Sequence, residues 1–115
     1  MKAKKSENYL ERKPLRKESI GWKTEENGLV TLEIENKGVF NRIAQKLFKK
    51  PKISYVHLDE MGSFVWPIMD GQKDITEIGK AVDGHFGEKA HPLYERLAKY
   101  FQILDSYGFI EWNNE

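Results

Sequence analysis

Between Ser19 and Glu35 the side chains alternate with period two: Ile20, Trp22 and Thr24 come first, then Val30, Leu32 and Ile34 set against Leu29, Thr31, Glu33 and Glu35. That period belongs to extended chain, where successive side chains point to opposite faces. Asn27-Gly28 stands between the two runs, and this pair suits the positive φ angles of a type I′ turn, so the segment predicts a β-hairpin. One face of its second strand is apolar and the other partly charged, as in a sheet that covers a core on one side and meets water on the other.

After Asn36-Lys37-Gly38 the period changes. Val39, Phe40, Ile43, Ala44, Leu47 and Phe48 recur at helical spacing among Arg42, Lys46, Lys49 and Lys50, which predicts an amphipathic helix stopped by Pro51. Its apolar stripe is expected to pack on its own sheet and its lysines to face water. A third strand follows at Ile53 to Leu58, with Ile53, Tyr55 and His57 on one face and Ser54, Val56 and Leu58 on the other. Asp59 is placed to cap the next helix, whose apolar face holds Met61, Phe64, Val65 and Trp66 before Pro67 kinks or ends it.

Two more helices are predicted. Asp74-Ile75-Thr76-Glu77 has capping-box spacing and opens a helix carrying Ile78, Val82 and Phe86, closed by Gly84 or Gly87. The last begins near Ala90 to Pro92, runs through Leu93, Leu97, Phe101 and Leu104, and ends at Gly108. Phe109 to Trp112 reads as extended and apolar enough to return to the sheet. Residues 1–18 mix lysine, arginine and glutamate with few apolar groups and are expected to form a flexible tail; the alternative is that Tyr9, Leu10 and Leu15 dock around Pro14 as an extended strap. Residues 19–115 are expected to form one domain.

The charge balance narrows the function. In 115 residues there are 19 basic and 18 acidic side chains, a net charge of +1 that creates no global field for nucleic acid or an anionic membrane. Cysteine is absent, which rules out disulfides, a thiol nucleophile and thiolate metal ligands. No run approaches the ~18–20 apolar residues of a membrane span, and the chain is expected to be soluble and cytoplasmic. His57, His85 and His91 lack paired ligand spacing, and neither a phosphate loop nor a nucleophile elbow occurs. No catalytic residue, metal ligand or cofactor is expected. A winged-helix DNA-binding regulator is the alternative function, but the last helix exposes Glu95, Arg96, Lys99, Gln102 and Asp105, whose mixed signs suit a base-reading helix poorly.

The series Leu58-Asp59-Glu60-Met61-Gly62, Phe64-Val65-Trp66, Asp70-Gly71, Ile75-Thr76-Glu77-Ile78 and Gly108-Phe109-Ile110 resembles the PqqD family of small peptide chaperones, over roughly residues 18 to 112. The resemblance implies an α+β fold: a small antiparallel sheet followed by a three-helix, winged helix-turn-helix-like unit. The amphipathic segment from Val39 to Lys50 is an addition to that pattern. It also implies a noncatalytic chaperone that holds the leader of a ribosomally made precursor peptide for a modifying enzyme, with the radical-SAM class as the candidate. On this resemblance the leader lies between the third strand and the last helix, which gives Ser54, Tyr55, Val56 and His57 on one side and Leu93, Tyr94, Leu97, Tyr100 and Phe101 on the other as peptide-binding residues.

Overall fold

Residues 9–36 and 52–113 are described by the computed structural model, and they form an α+β fold of small antiparallel sheets and three helices. In chain order a 3-10 turn (Tyr9–Glu11) leads to β1 (Lys13–Arg16), β2 (Gly21–Thr24), β3 (Val30–Asn36) and β4 (Lys52–His57). Then come α1 (Glu60–Val65), a 3-10 turn (Trp66–Ile68), α2 (Ile75–Phe86), a 3-10 turn (Gly87–Ala90), α3 (Leu93–Ser106) and β5 (Ile110–Asn113). The amphipathic helix expected at 39–50 lies outside the described residues.

The alternating run becomes a sheet of order β2-β3-β4, with Trp22 opposite Leu32 and Leu32 opposite Val56. Val30 and Leu32 are buried on its inner face. The hairpin turn differs from expectation: Gly28 alone among the turn residues takes a positive φ, +87°. The Gly28 N–H donates to the Glu25 oxygen and the Glu25 N–H to the Leu29 oxygen, which closes a three-residue loop with glycine at its left-handed position. Asn27 has no positive φ, because in this loop the left-handed position falls on Gly28, and its side-chain oxygen accepts from the Leu29 N–H at 3.0 Å.

The tail reading of residues 9–18 is corrected for residues 13–16. Lys13–Arg16 is a strand, and it pairs with β5 in a second sheet, Pro14 opposite Trp112 and Leu15 opposite Glu111. β5 therefore joins this N-terminal strap and not the hairpin sheet. Pro14 is fully buried, and the Arg16 guanidinium donates to the carbonyl oxygens of Trp66, Pro67 and Met69 at 3.2, 2.7 and 3.0 Å. Those oxygens lie at the end of the helical segment; the Met69 N–H also donates to the Trp66 oxygen and the Arg16 N–H to the Met69 oxygen, and the guanidinium adds charged donors.

The helix ends follow their capping chemistry. The Asp59 carboxylate accepts from the Gly62 N–H at 2.8 Å, and Asp74 and Glu77 form the full capping box. Gly87 ends α2. At the end of α3 the Phe109 N–H donates to Leu104 and the Gly108 N–H to Asp105, with Gly108 at φ +78°, a Schellman arrangement. Trp66, Ile75, Ile78, Val82, Leu97 and Phe101 have no exposed surface and join the helices to the inner face of the hairpin sheet in one core. Ser63 ties that core to the sheet: its buried hydroxyl accepts from the Val30 N–H at 2.7 Å and donates to Leu58 at 3.3 Å.

Candidate functional site

β4 stands at one end of the three-stranded sheet, with β3 as its strand partner among the described residues. Its pleat turns Ile53, Tyr55 and His57 to the outer face, where Ile53 and Tyr55 are exposed, and leaves Val56 half-buried on the inner one. Thr31, opposite His57, holds its imidazole through an Oγ1 to Nδ1 contact of 3.0 Å. Ser54 and His57 are exposed. All four expected strand residues thus lie on an end strand.

The five residues expected on α3 divide between three surfaces. Leu97 and Phe101 are in the core with no exposed area, and Leu93 is half-buried. Tyr94 leans away toward α2: a Cβ built on Gly79 would stand 2.7 Å from its ring. Tyr100 faces α1, its hydroxyl donating to the Gly62 oxygen at 2.9 Å. Tyr100 thus marks the flank of α3 that meets α1, the helix that follows β4.

Arg96, Ile103 and Tyr107 share that flank, since residues three and four apart lie on one side of a helix. Ile103 is 46% exposed and Tyr107 69%, the latter stacked on Phe109 with ring centres 5.5 Å apart. Sequence reasoning did not single out Ile103. The available signal was the spacing Arg96, Tyr100, Ile103, Tyr107, one flank of a stripe too wide to be covered completely.

Beyond the His57 end of β4 a cleft of about 220 Å³ is lined by Asp59, Glu60, Met61, Phe86, Lys89, Ala90 and Arg96. The Arg96 guanidinium is fixed there by donating to the Lys89 oxygen at 2.7 Å. Burial raises the Tyr100 phenol far above its usual range, and the Asp59 carboxylate pushes the same way. Tyr100 is therefore a neutral hydrogen-bond donor, not an acid or base.

The histidines have separate surroundings. His57 meets Thr31, His85 stacks on Phe64 at 4.5 Å, and His91 lies 3.0 Å from the Asp83 carboxylate. Among the described residues no three His, Asp or Glu side chains converge to hold a metal ion, and no helix is long and apolar enough to cross a membrane. What the surface offers is main chain on an end strand, exposed apolar side chains on α3 and a cleft lined by charges of both signs.

A family model described as coenzyme PQQ synthesis protein D (PqqD) matches residues 29–110, from just before β3 to the first residue of β5. β1 and β2 lie outside the match. No curated protein and no solved structure matches the chain.

Proposed function

The chain belongs to the PqqD family, and from that membership we propose that it is a noncatalytic chaperone that captures the leader segment of a ribosomally made precursor peptide and presents it to a modifying enzyme. Members of the family are noncatalytic accessory proteins, and the family points to a peptide-binding partner in a biosynthetic pathway. The radical-SAM class is the candidate for the enzyme.

The observation that carries the reading is an end strand, β4, in a fold that also exposes an apolar flank of α3. An extended peptide added beside β4 gains main-chain hydrogen bonds that depend little on its sequence. Val56, Tyr100, Ile103 and Tyr107 then supply an apolar wall for alternate side chains of the peptide. Leu97 and Phe101 support that wall from the core.

Amide chemical-shift mapping with the leader of a precursor peptide encoded beside this gene tests the proposal. The expected result is a set of shifts at Ser54 to His57 and around Ile103 and Tyr107. Shifts confined to the Asn27-Gly28 end of the hairpin would overturn it.

A further inference from the structure

The cleft past His57 combines features that the groove alone does not. Its floor is apolar, from Met61, Phe86 and Ala90, and two cations stand on its wall, Lys89 and Arg96. Arg96 is half-buried and pinned to the Lys89 carbonyl, yet no carboxylate among the described residues lies within ion-pair distance of it. A guanidinium fixed by one nitrogen keeps its other donors oriented, and a planar fork matches a carboxylate in geometry as well as charge.

The cleft also has two acids, and they are engaged differently. The Asp59 carboxylate accepts from the Gly62 N–H at 2.8 Å as the cap of α1. Glu60 is exposed, so water screens its charge more than it screens the half-buried Arg96. Asp59 and Lys89 are exposed as well, so Arg96 is the half-buried charge of the cleft and the one that water screens least. Arg96 precedes Tyr100 by one turn on the same flank of α3, so the cleft adjoins the apolar wall proposed above for the peptide.

We infer that this cleft reads an acidic side chain of the client: an Asp or Glu of the bound peptide forms an ion pair with Arg96 and Lys89, while a neighbouring apolar side chain lies on Met61, Phe86 and Ala90. The inference rests on the capture of an extended peptide proposed above. It adds a chemical requirement and a position, since the acid must fall just beyond the segment that pairs with β4. The apolar wall tolerates many sequences, and the cleft selects among them. A charge at one end also fixes which way the peptide runs, because the reverse orientation removes the acid from the cations.

The experiment pans a random peptide display library against the full-length chain and then measures selected peptides by fluorescence polarisation on purified variants. Selected peptides are expected to carry Asp or Glu at a constant spacing from their apolar positions. Replacing that acid by its amide, or Arg96→Gln in the protein, should weaken binding about ten-fold, and Arg96→Glu should shift selection toward Lys or Arg at the same position. Lys89→Gln, which leaves the Lys89 carbonyl and its contact to Arg96 in place, should produce a smaller loss in the same direction. Thermal melts of each variant separate lost binding from lost folding. Peptides that bind with no acidic preference, or with a basic preference that Glu60→Gln abolishes, would overturn the acid-reading cleft and leave peptide capture standing. A library that yields no binder perturbing Ser54 to His57 would overturn peptide capture itself, and the cleft reading with it.

Discussion

The Tyr100 hydroxyl donates to the Gly62 carbonyl oxygen at 2.9 Å, and its ring lies so close that a Cβ at Gly62 would stand 3.0 Å from Tyr100 Cε1. This contact sets how near α3 comes to α1. Tyr94 repeats the arrangement on α2 at Gly79, with one difference: Tyr94 is 37% exposed, and Tyr100 is held by a hydrogen bond.

The two glycines should respond differently to alanine. Gly62→Ala presses on Tyr100 and on Asp59 Oδ1, 3.1 Å away, and neither can leave without losing a hydrogen bond. A loss of about 1–3 kcal/mol is expected in urea titration. Gly79→Ala presses only on Tyr94, which can swing into water, while the helix gains up to ~1 kcal/mol of propensity. Its stability should change by less than about 1 kcal/mol, with clear movement of the Tyr94 ring resonances. Equal losses in both variants would show that Tyr94 is held as firmly as Tyr100.

Deleting residues 1–16 separates a strap from a tail. The deletion removes β1 from beside β5, takes the buried Pro14 out of the core and strips three carbonyl oxygens of the Arg16 guanidinium. It also uncovers Trp112, over whose ring the Arg12 guanidinium sits at 4.2 Å. We expect a cost of about 2–4 kcal/mol from lost burial and charged hydrogen bonds, read as a fall in melting temperature of roughly 10 °C or more. A shift below about 2 °C would restore the tail reading.

Alkaline stability should depend on Tyr100. Burial, with the Asp59 carboxylate in second place, raises its folded-state pKa above the ordinary 10.0, so as pH climbs the unfolded chain ionises first. The stabilisation is fully present below pH 10.0 and is lost as pH rises above it toward the folded value. Tyr100→Phe should cost about 0.5–1.5 kcal/mol near neutrality, through the bond to Gly62, and should flatten the alkaline fall. Tyr9, also raised by burial, keeps the fall from vanishing. Urea midpoints between about pH 7 and about pH 11 measure both effects; an alkaline limb unchanged by Tyr100→Phe would mean that the phenol reaches water in the folded protein.

Much of the fold could be read from neighbouring residues. The alternation of Val30, Leu32 and Ile34, the Asp59 cap, the Asp74–Glu77 box, the stop at Pro67 and the glycines at 87 and 108 all act within one turn or one strand. Each closes a hydrogen bond or presents a face whose partner is a few residues away, and that is why the chain announces them locally. The end-strand position of β4 follows almost as directly, from the hairpin before it and the helix after it.

The remaining features join residues far apart or depend on how completely one element covers another. Lys13–Arg16 has too few apolar groups to mark a strand, and it becomes one because β5 returns nearly a hundred positions later to pair with it. The turn at Asn27-Gly28 depended on strand register: Thr24 pairs with Val30 and the Glu25 N–H bonds to the Leu29 oxygen, which leaves Glu26, Asn27 and Gly28 to close the hairpin where a type I′ turn needs two. On α3 the sequence offers one broad apolar stripe. Its sorting into buried Leu97 and Phe101, a Tyr94 on α2, and exposed Ile103 and Tyr107 is set by where α1, α2 and β5 end, because burial is a property of the neighbours and not of the side chain.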